Sequence, residues 1–224
     1  MFIDKSMTRK VITIRPEAGI IEAREKMDKH NIRHLPVVDE DNNVLGIISD
    51  RDIRSALPSV FSASLEEPAE RERILGLTVG DVMTEDMITF TPHDTLTDAL
   101  LMMHKTKKGA FPIVDWDGKL KGIISIRDLI RAFINVMGLD QPGTLLCLVA
   151  EDKVGQMKRI VDAITEEGIS IGSILTARHW DEGKRAVFPY LLTVNVTRVK
   201  RKLQDMGYTL LDPMEWSLEG LPVI

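Results

Sequence analysis

Gly46-Ile47-Ile48-Ser49-Asp50-Arg51-Asp52 and Gly122-Ile123-Ile124-Ser125-Ile126-Arg127-Asp128 are one heptapeptide written twice. The copies lie 76 positions apart, and the same shift carries Met7 onto Met83 and aligns residues 7–53 with residues 83–129 without a gap. Met7-Thr8 falls on Met83-Thr84, Ile12-Thr13 on Ile88-Thr89, and Leu35-Pro36-Val37-Val38-Asp39 on Phe111-Pro112-Ile113-Val114-Asp115. A repeat of this length is one supersecondary unit that cannot bury its apolar face alone. Two copies therefore imply a closed, pseudo-symmetric pair, with sites where equivalent residues converge between them.

Each copy has the same rhythm. A short β-prone run (residues 11–14; 87–90) ends near a proline, and a helix follows on the apolar positions Ile20, Ala23, Met27 or Leu96, Ala99, Leu100, Met103. A compact β run then ends at Asp39 or Asp115. Polar turns (residues 39–43; 115–118) lead into a second strand ending at Ser49 or Ser125, where a second helix begins. Residues 1–57 form repeat one, 58–80 an insert whose charged stretch 66–73 reads as helical or mobile, and 81–138 repeat two.

After a linker at residues 139–143 the pattern changes. Residues 144–150 read as one apolar strand, 154–167 as a helix stopped at Gly168, 169–177 and 187–196 as strands, 199–206 as a helix ending at Gly207, and 208–211 as a last strand. This βαββαβ order in residues 144–215 predicts a ferredoxin-like antiparallel sheet with both helices on one face. Residues 216–224 are a tail. The fold class is mixed, α/β (α+β).

Composition excludes several classes. The chain of 224 residues is 44% hydrophobic and 28% charged, with net charge −5 and no basic block, which disfavours nucleic acid as a partner. No apolar run approaches the roughly 18 residues of a membrane span, and no signal-peptide layout opens the chain, so the reading is cytoplasmic. Cys147 is alone, among Leu145, Leu146, Leu148 and Val149, and reads as a buried hydrophobe. The histidines (His30, His34, His93, His104, His179) show no metal-ligand spacing, and no nucleophile elbow, P-loop or dinucleotide fingerprint is present.

The chemistry sits in Gly-h-h-Ser-x-x-Asp at a strand-to-helix junction, where h is an apolar residue. A serine there can donate to a ribose or phosphate oxygen, a carboxylate one turn on can accept from a vicinal diol, and a helix start attracts anions. A glycine on the strand would let a flat base approach the backbone. The same Ser-x-x-Asp is also a capping box, with Ser49 as cap and Asp52 reaching back. Two copies in register, each joined to the same hairpin pattern, favour the binding reading.

These motifs, in this order and spacing, resemble a tandem pair of cystathionine-β-synthase (CBS) domains, a Bateman module, over residues 1–137. The resemblance implies a pseudo-twofold disc with two clefts that bind AMP, ADP, ATP or S-adenosylmethionine as a regulatory ligand, with no required cofactor. Carried over residue by residue, Asp52 and Asp128 hold ribose, Ser49 and Ser125 support ribose or phosphate, and Ile12-Thr13 and Ile88-Thr89 line the adenine slot, beside Pro36 and Pro112. Arg51 and Arg127 are matched basic residues. Arg33-His34 in copy one stand against Gly109-Ala110 in copy two, so the clefts are expected to be unequal, with phosphate favoured at Arg33 and His34.

The C-terminal unit resembles an ACT domain. Its candidate amino-acid loop is Asp152, Val154, Gly155, Gln156 and Met157, with Val154 where a proline is usual, so dimerisation is as well supported as ligand binding. A CBS pair followed by such a unit, with residues 32–39 and 50–52 as they stand, resembles the acetoin-utilisation AcuB-type proteins. The expected function is a non-catalytic adenine-nucleotide sensor, a homodimer acting on an unidentified regulated protein. A ligand-free structural scaffold and an enzyme are the rivals.

Overall fold

The structure is a computed structural model that describes residues 1–57 and 76–211, with backbone only for 178–181. The expectations for residues 66–73 and for the tail lie outside the described residues. The chain divides into two compact units, Met1–Ile130 and Arg131–Ile224.

In the first unit the two repeats fold alike. Repeat one runs α1 (Ile20–His30), β1 (His34–Val38), β2 (Val44–Ser49), α2 (Asp50–Ala56); repeat two runs α3 (Leu96–Thr106), β3 (Ala110–Val114), β4 (Leu120–Ser125), α4 (Ile126–Met137). The hairpins share one register, His34 opposite Ser49 and Ala110 opposite Ser125, and both slip at the same place, between Val37 and Val38 and between Ile113 and Val114. Their turns form because Asp39 accepts from the Asn43 amide (2.8 Å) and Asp115 from the Lys119 amide (2.9 Å). Ile20, Ala23 and Met27 are buried on α1, and Leu96, Ala99 and Met103 on α3. Leu100 is a correction: one residue past Ala99, it turns off the buried face and is 40% exposed.

The β runs expected at residues 11–14 and 87–90 shrink to single parallel bridges, Ile14 with Val37 and Phe90 with Ile113. Ile14 donates to Pro36 O and accepts from Val38 N, after which the chain turns at Arg15-Pro16 and the ladder ends.

The repeats also exchange their leading segments. Thr8, near the start of repeat one, pairs through two backbone bonds with Ile123 on β4; Thr84, near the start of repeat two, pairs likewise with Ile47 on β2. Ile3 N donates to Asp94 O (2.8 Å), and Val79 enters the core of Ile14, Leu35, Val37, Ile48 and Ile53. The glycines of the repeated motif serve this exchange. A Cβ on Gly46 would lie 2.7 Å from Met83 Sδ and 3.0 Å from Thr84 O; one on Gly122 would lie 2.7 Å from Met7 Sδ and 3.0 Å from Thr8 O. A thioether and a backbone, rather than the expected base, occupy that space.

The second unit carries β5 (Thr144–Leu145), β6 (Leu148–Glu151), α5 (Gln156–Thr165), β7 (Ile171–Asp181), β8 (Lys184–Leu191), α6 (Thr197–Asp205) and β9 (Thr209–Leu210). β9, β6, β8 and β7 lie side by side, all antiparallel, with β5 also on β8; this is the ferredoxin-like order. Ile160 and Ile164 of α5 share one core with Val199 and Leu203 of α6 and with Leu148, Val187 and Leu191 of the sheet, so both helices cover one face. The expected continuous strand 144–150 is broken at Leu146-Cys147. Leu146 donates to Pro189 O (3.0 Å), and proline has no N–H to return the bond. Gly168, at φ +71°, closes the chain after α5 as expected. The last turn of α4 belongs with this unit, since Met137 O accepts from Ser173 Oγ (2.9 Å). Among the described residues no helix is long and apolar enough to cross a membrane.

Replacing Gly46 by alanine should destabilise the protein by about 1–3 kcal/mol through overpacking. Urea denaturation of Gly46→Ala, Met83→Ala and the double variant should give a non-additive cycle, because the thioether is the first atom the new methyl meets.

Candidate functional site

Both repeated motifs form capping boxes. Ser49 Oγ and Ser49 N donate to Asp52 Oδ2 (2.7 and 2.8 Å), and Asp52 N donates back to Ser49 Oγ (3.3 Å). Ser125 and Asp128 repeat the arrangement at 2.6, 2.9 and 3.4 Å. Thr95 and Asp98 make a third box at the start of α3, away from either motif. Capping is thus established for the pair of residues, and it consumes only one carboxylate oxygen.

The other oxygen distinguishes the copies. Asp128 Oδ1 accepts from Thr8 Oγ1 (3.3 Å), and Asp128 is only 4% exposed. Asp52 is half-buried, and its Oδ1 accepts no hydrogen bond among the described residues. Thr84, which the repeat matches to Thr8, lines the same cleft as Asp52.

That cleft has a volume of about 300 Å³. Ser49, Asp50, Arg51, Asp52 and Arg54 approach it from repeat one, with Arg33 and His34 at the start of β1; Lys107, Lys108, Gly109 and Ala110 approach from repeat two. Arg54 pairs with Asp50 (2.8 Å). Arg33, Arg51, Lys107 and Lys108 make no ion pair among the described residues. In copy two the matched arginine is engaged: Arg127 donates to Asn31 O at 3.1 Å.

His34 sits against Gly109, where a Cβ would come within 2.9 Å of the imidazole Cε1. The His34–Gly109 pairing is therefore steric as well as chemical: the residue that replaces Arg33 in copy two has to be small. Burial pushes the His34 pKa below its usual value; Asp52 pulls it up, Arg33 and Arg51 push it further down, and Asp50 raises it slightly. The imidazole is neutral at neutral pH.

Of the residues expected from the sequence, the structure brings Arg33, His34, Ser49, Arg51 and Asp52 together in one cleft. Ser125, Arg127 and Asp128 gather around Thr8 and Asn31. Ile12 packs on the core of repeat one, Pro36 is buried in β1, Thr13 and Ile88 are half-buried, Thr89 is exposed, and Pro112 is buried in β3 opposite Ile123. None of these six is in the wall of the Asp52 cleft. Thr84, Arg54, Lys107 and Lys108 escaped the sequence reading. The Lys107-Lys108 dipeptide was visible as a charged pair facing Asn31-Ile32 in the repeat alignment.

In the second unit the candidate loop is largely self-satisfied. Asp152 is ion-paired with Arg185, Tyr208 OH donates to Gln156 Oε1 (2.7 Å), and Met157 packs on the core. Val154 projects fully into solvent, and Gly155 adopts φ +91° with open space around it. Among the described residues no group of His, Cys, Asp and Glu is placed to hold a metal ion.

Comparison with known proteins agrees with the first unit's architecture. A protein of unassigned role from Acidianus ambivalens is 36% identical over 134 residues, covering 60% of this chain and 74% of the relative. The crystal structure of CBSX2 in complex with AMP, a CBS-pair protein of Arabidopsis thaliana, has a TM-score of 0.51 at 27% identity and covers 59% of this chain and 96% of that one. A Vibrio cholerae protein assigned to acetoin utilization (AcuB) has a TM-score of 0.52 at 27% identity, covering 62% and 95%. The CBS domain family model matches twice, at residues 3–59 and 79–135. Those two matches coincide with the two repeats, and the chain belongs to the CBS-domain family as a tandem pair.

Proposed function

We propose that this protein is a non-catalytic sensor that binds an adenine nucleotide in the Asp52 cleft. The observation that carries the reading is the pairing, in one 300 Å³ cleft, of an Asp52 oxygen left over from capping with Arg33, Arg51, Lys107 and Lys108, which lack carboxylate partners among the described residues. A diol acceptor beside a set of cations suits ribose joined to phosphate. A relative of the same architecture is known with AMP bound. The adenine would extend from there toward the Ile12-Thr13 side, with Ser49 supporting the ribose. In copy two, Thr8 holds the equivalent oxygen and Asn31 O the equivalent arginine, so Asp128 acts in the fold and the pair takes one nucleotide.

The cleft draws its walls from both repeats, so a nucleotide prefers one arrangement of the two and shifts their population. The ferredoxin-like unit serves as an ACT-type dimerisation module rather than an amino-acid site, because Arg185 and Tyr208 already take the polar groups of its loop. The apolar face of α4, with Ile126, Ile130 and Phe133 exposed, adds to a self-complementary homodimer surface. A place in the cytoplasm and a link to acetoin utilisation, acting through a partner protein, complete the reading; the latter rests on the likeness to AcuB.

Calorimetric titration with AMP tests the site. Asp52→Ala should raise Kd by at least about tenfold, a loss of about 1.4 kcal/mol. Asp128→Ala should leave Kd within about twofold and lower the thermal midpoint, since a buried cap costs about 0.5–2 kcal/mol. Equal loss in both variants, or one nucleotide bound per cleft, would overturn the single-site reading.

The pH dependence has a definite sign. Phosphate favours the imidazolium, so the His34 pKa is higher in the complex than in the free protein, where it lies below 6.5. Once protonation of the AMP phosphate itself, with a second pKa of about 6, is allowed for, affinity for AMP should rise as pH falls through the complex's pKa and level off below the free one. In the free protein the unfolded chain takes up the proton first, so stability should fall as pH drops below 6.5. His34→Gln should remove both slopes; slopes unchanged in that variant would exclude His34 as their source.

A further inference from the structure

We propose that the Asp52 cleft selects a nucleoside di- or triphosphate over AMP and rejects S-adenosylmethionine, and that Lys107 and Lys108 read the terminal phosphates. The inference rests on the adenine-nucleotide reading of the same cleft and deepens it.

Arg33, Arg51, Lys107 and Lys108 share one cleft, while its acids are committed, Asp50 to Arg54 and Asp52 to the cap of α2. Cations that outnumber the acids around them repel one another, and a polyanion relieves this. A phosphate chain presents more charge and more oxygens to the four cations than a single phosphate does. The sulfonium of S-adenosylmethionine would meet charge of its own sign.

The repeat supplies an internal control. Lys107 and Lys108 correspond to Asn31 and Ile32, Arg33 to Gly109, and Arg54 to Ile130, so at these four matched positions the Asp128 side carries no cation. Both residues ending the first helix of a repeat are left-handed, Asn31 at φ 51° and Lys107 at φ 56°. Asparagine tolerates that conformation and lysine does so poorly. A cation at a helix C-terminus does favour the helix dipole, but that effect does not require Lys107 and Lys108 to line the cleft, as they do.

The test is competition binding at constant ionic strength in EDTA with AMP, ADP, ATP, S-adenosylmethionine and inorganic tripolyphosphate. The wild-type protein is compared with Lys107→Asn/Lys108→Ile, which installs the chain's own repeat-one pair, and with Lys107→Gln/Lys108→Gln, each checked by thermal melting. The expected result is ATP tighter than AMP by at least about tenfold, a preference that collapses toward unity in both variants because they weaken ATP far more than AMP. S-adenosylmethionine should fail to compete, and tripolyphosphate should bind more weakly than ATP. Equal affinity for AMP and ATP, a preference that survives both variants, S-adenosylmethionine displacing ATP, or tripolyphosphate matching ATP would each overturn this proposal; AMP binding lost in Asp52→Ala would leave the nucleotide site itself standing. Absence of binding by every adenosine ligand would overturn both.

Discussion

Each repeat of the first unit is completed by a strand fragment from near the start of the other. Thr84 lies on β2, and Thr8 lies on β4, with a methionine thioether pressed into the space left by a missing Cβ at Gly46 and Gly122. The two-stranded hairpins would otherwise present an unpaired edge, a marginal arrangement in water. The exchange closes that edge, brings Thr8 to Asp128 and Thr84 to the Asp52 cleft, and makes the space between repeats a property of both. The difference between the copies then needs no change of fold, only of side chains at matched positions.

Capping does not use up the carboxylate in either copy. A carboxylate has two oxygens, and the box uses Oδ2 in each copy. What becomes of the second oxygen depends on a threonine arriving from the other repeat. In copy two the hydroxyl of Thr8 reaches it; in copy one it remains open to the cleft, beside His34 and the basic residues. The local motif is symmetric, and the asymmetry enters one layer out, through Arg33-His34 against Gly109-Ala110 and Lys107-Lys108 against Asn31-Ile32.

Much of this was legible in the chain. The 76-residue shift located both hairpins, their turns and the helices that follow, and the βαββαβ order predicted the second sheet. Arg33, His34, Ser49, Arg51 and Asp52 could be gathered because the repeat supplied a register in which oddities stand out. The β runs at residues 11–14 and 87–90 shrink to one bridge each on their own hairpins, and the crossing of Thr8 and Thr84 between repeats was not foreseen, since local propensity does not say which partner a short extended segment will find. Gly46 was read for the wrong neighbour, because a missing side chain shows that something comes close without naming it. Lys107 and Lys108 were missed because a lysine pair after a helix looks like a solvated end until the fold sets it across from Asp52. The break at Leu146-Cys147 came from Pro189, far away in sequence, which no window around the strand contains.

The exchanged segments also govern how the chain comes to exist. The hydroxyl of Thr8 and the carboxylate of Asp128 are 120 residues apart in sequence. On the ribosome, residues 1–8 emerge well before their partner strand and wait for it until nearly all of repeat two has been made. Repeat one likewise lacks Val79 and Thr84 from its core and edge until synthesis has passed them. Contacts of such long range slow folding and leave edges bare in the interval. Each repeat therefore gains its last edge pairing only once the matching segment of the other has been made.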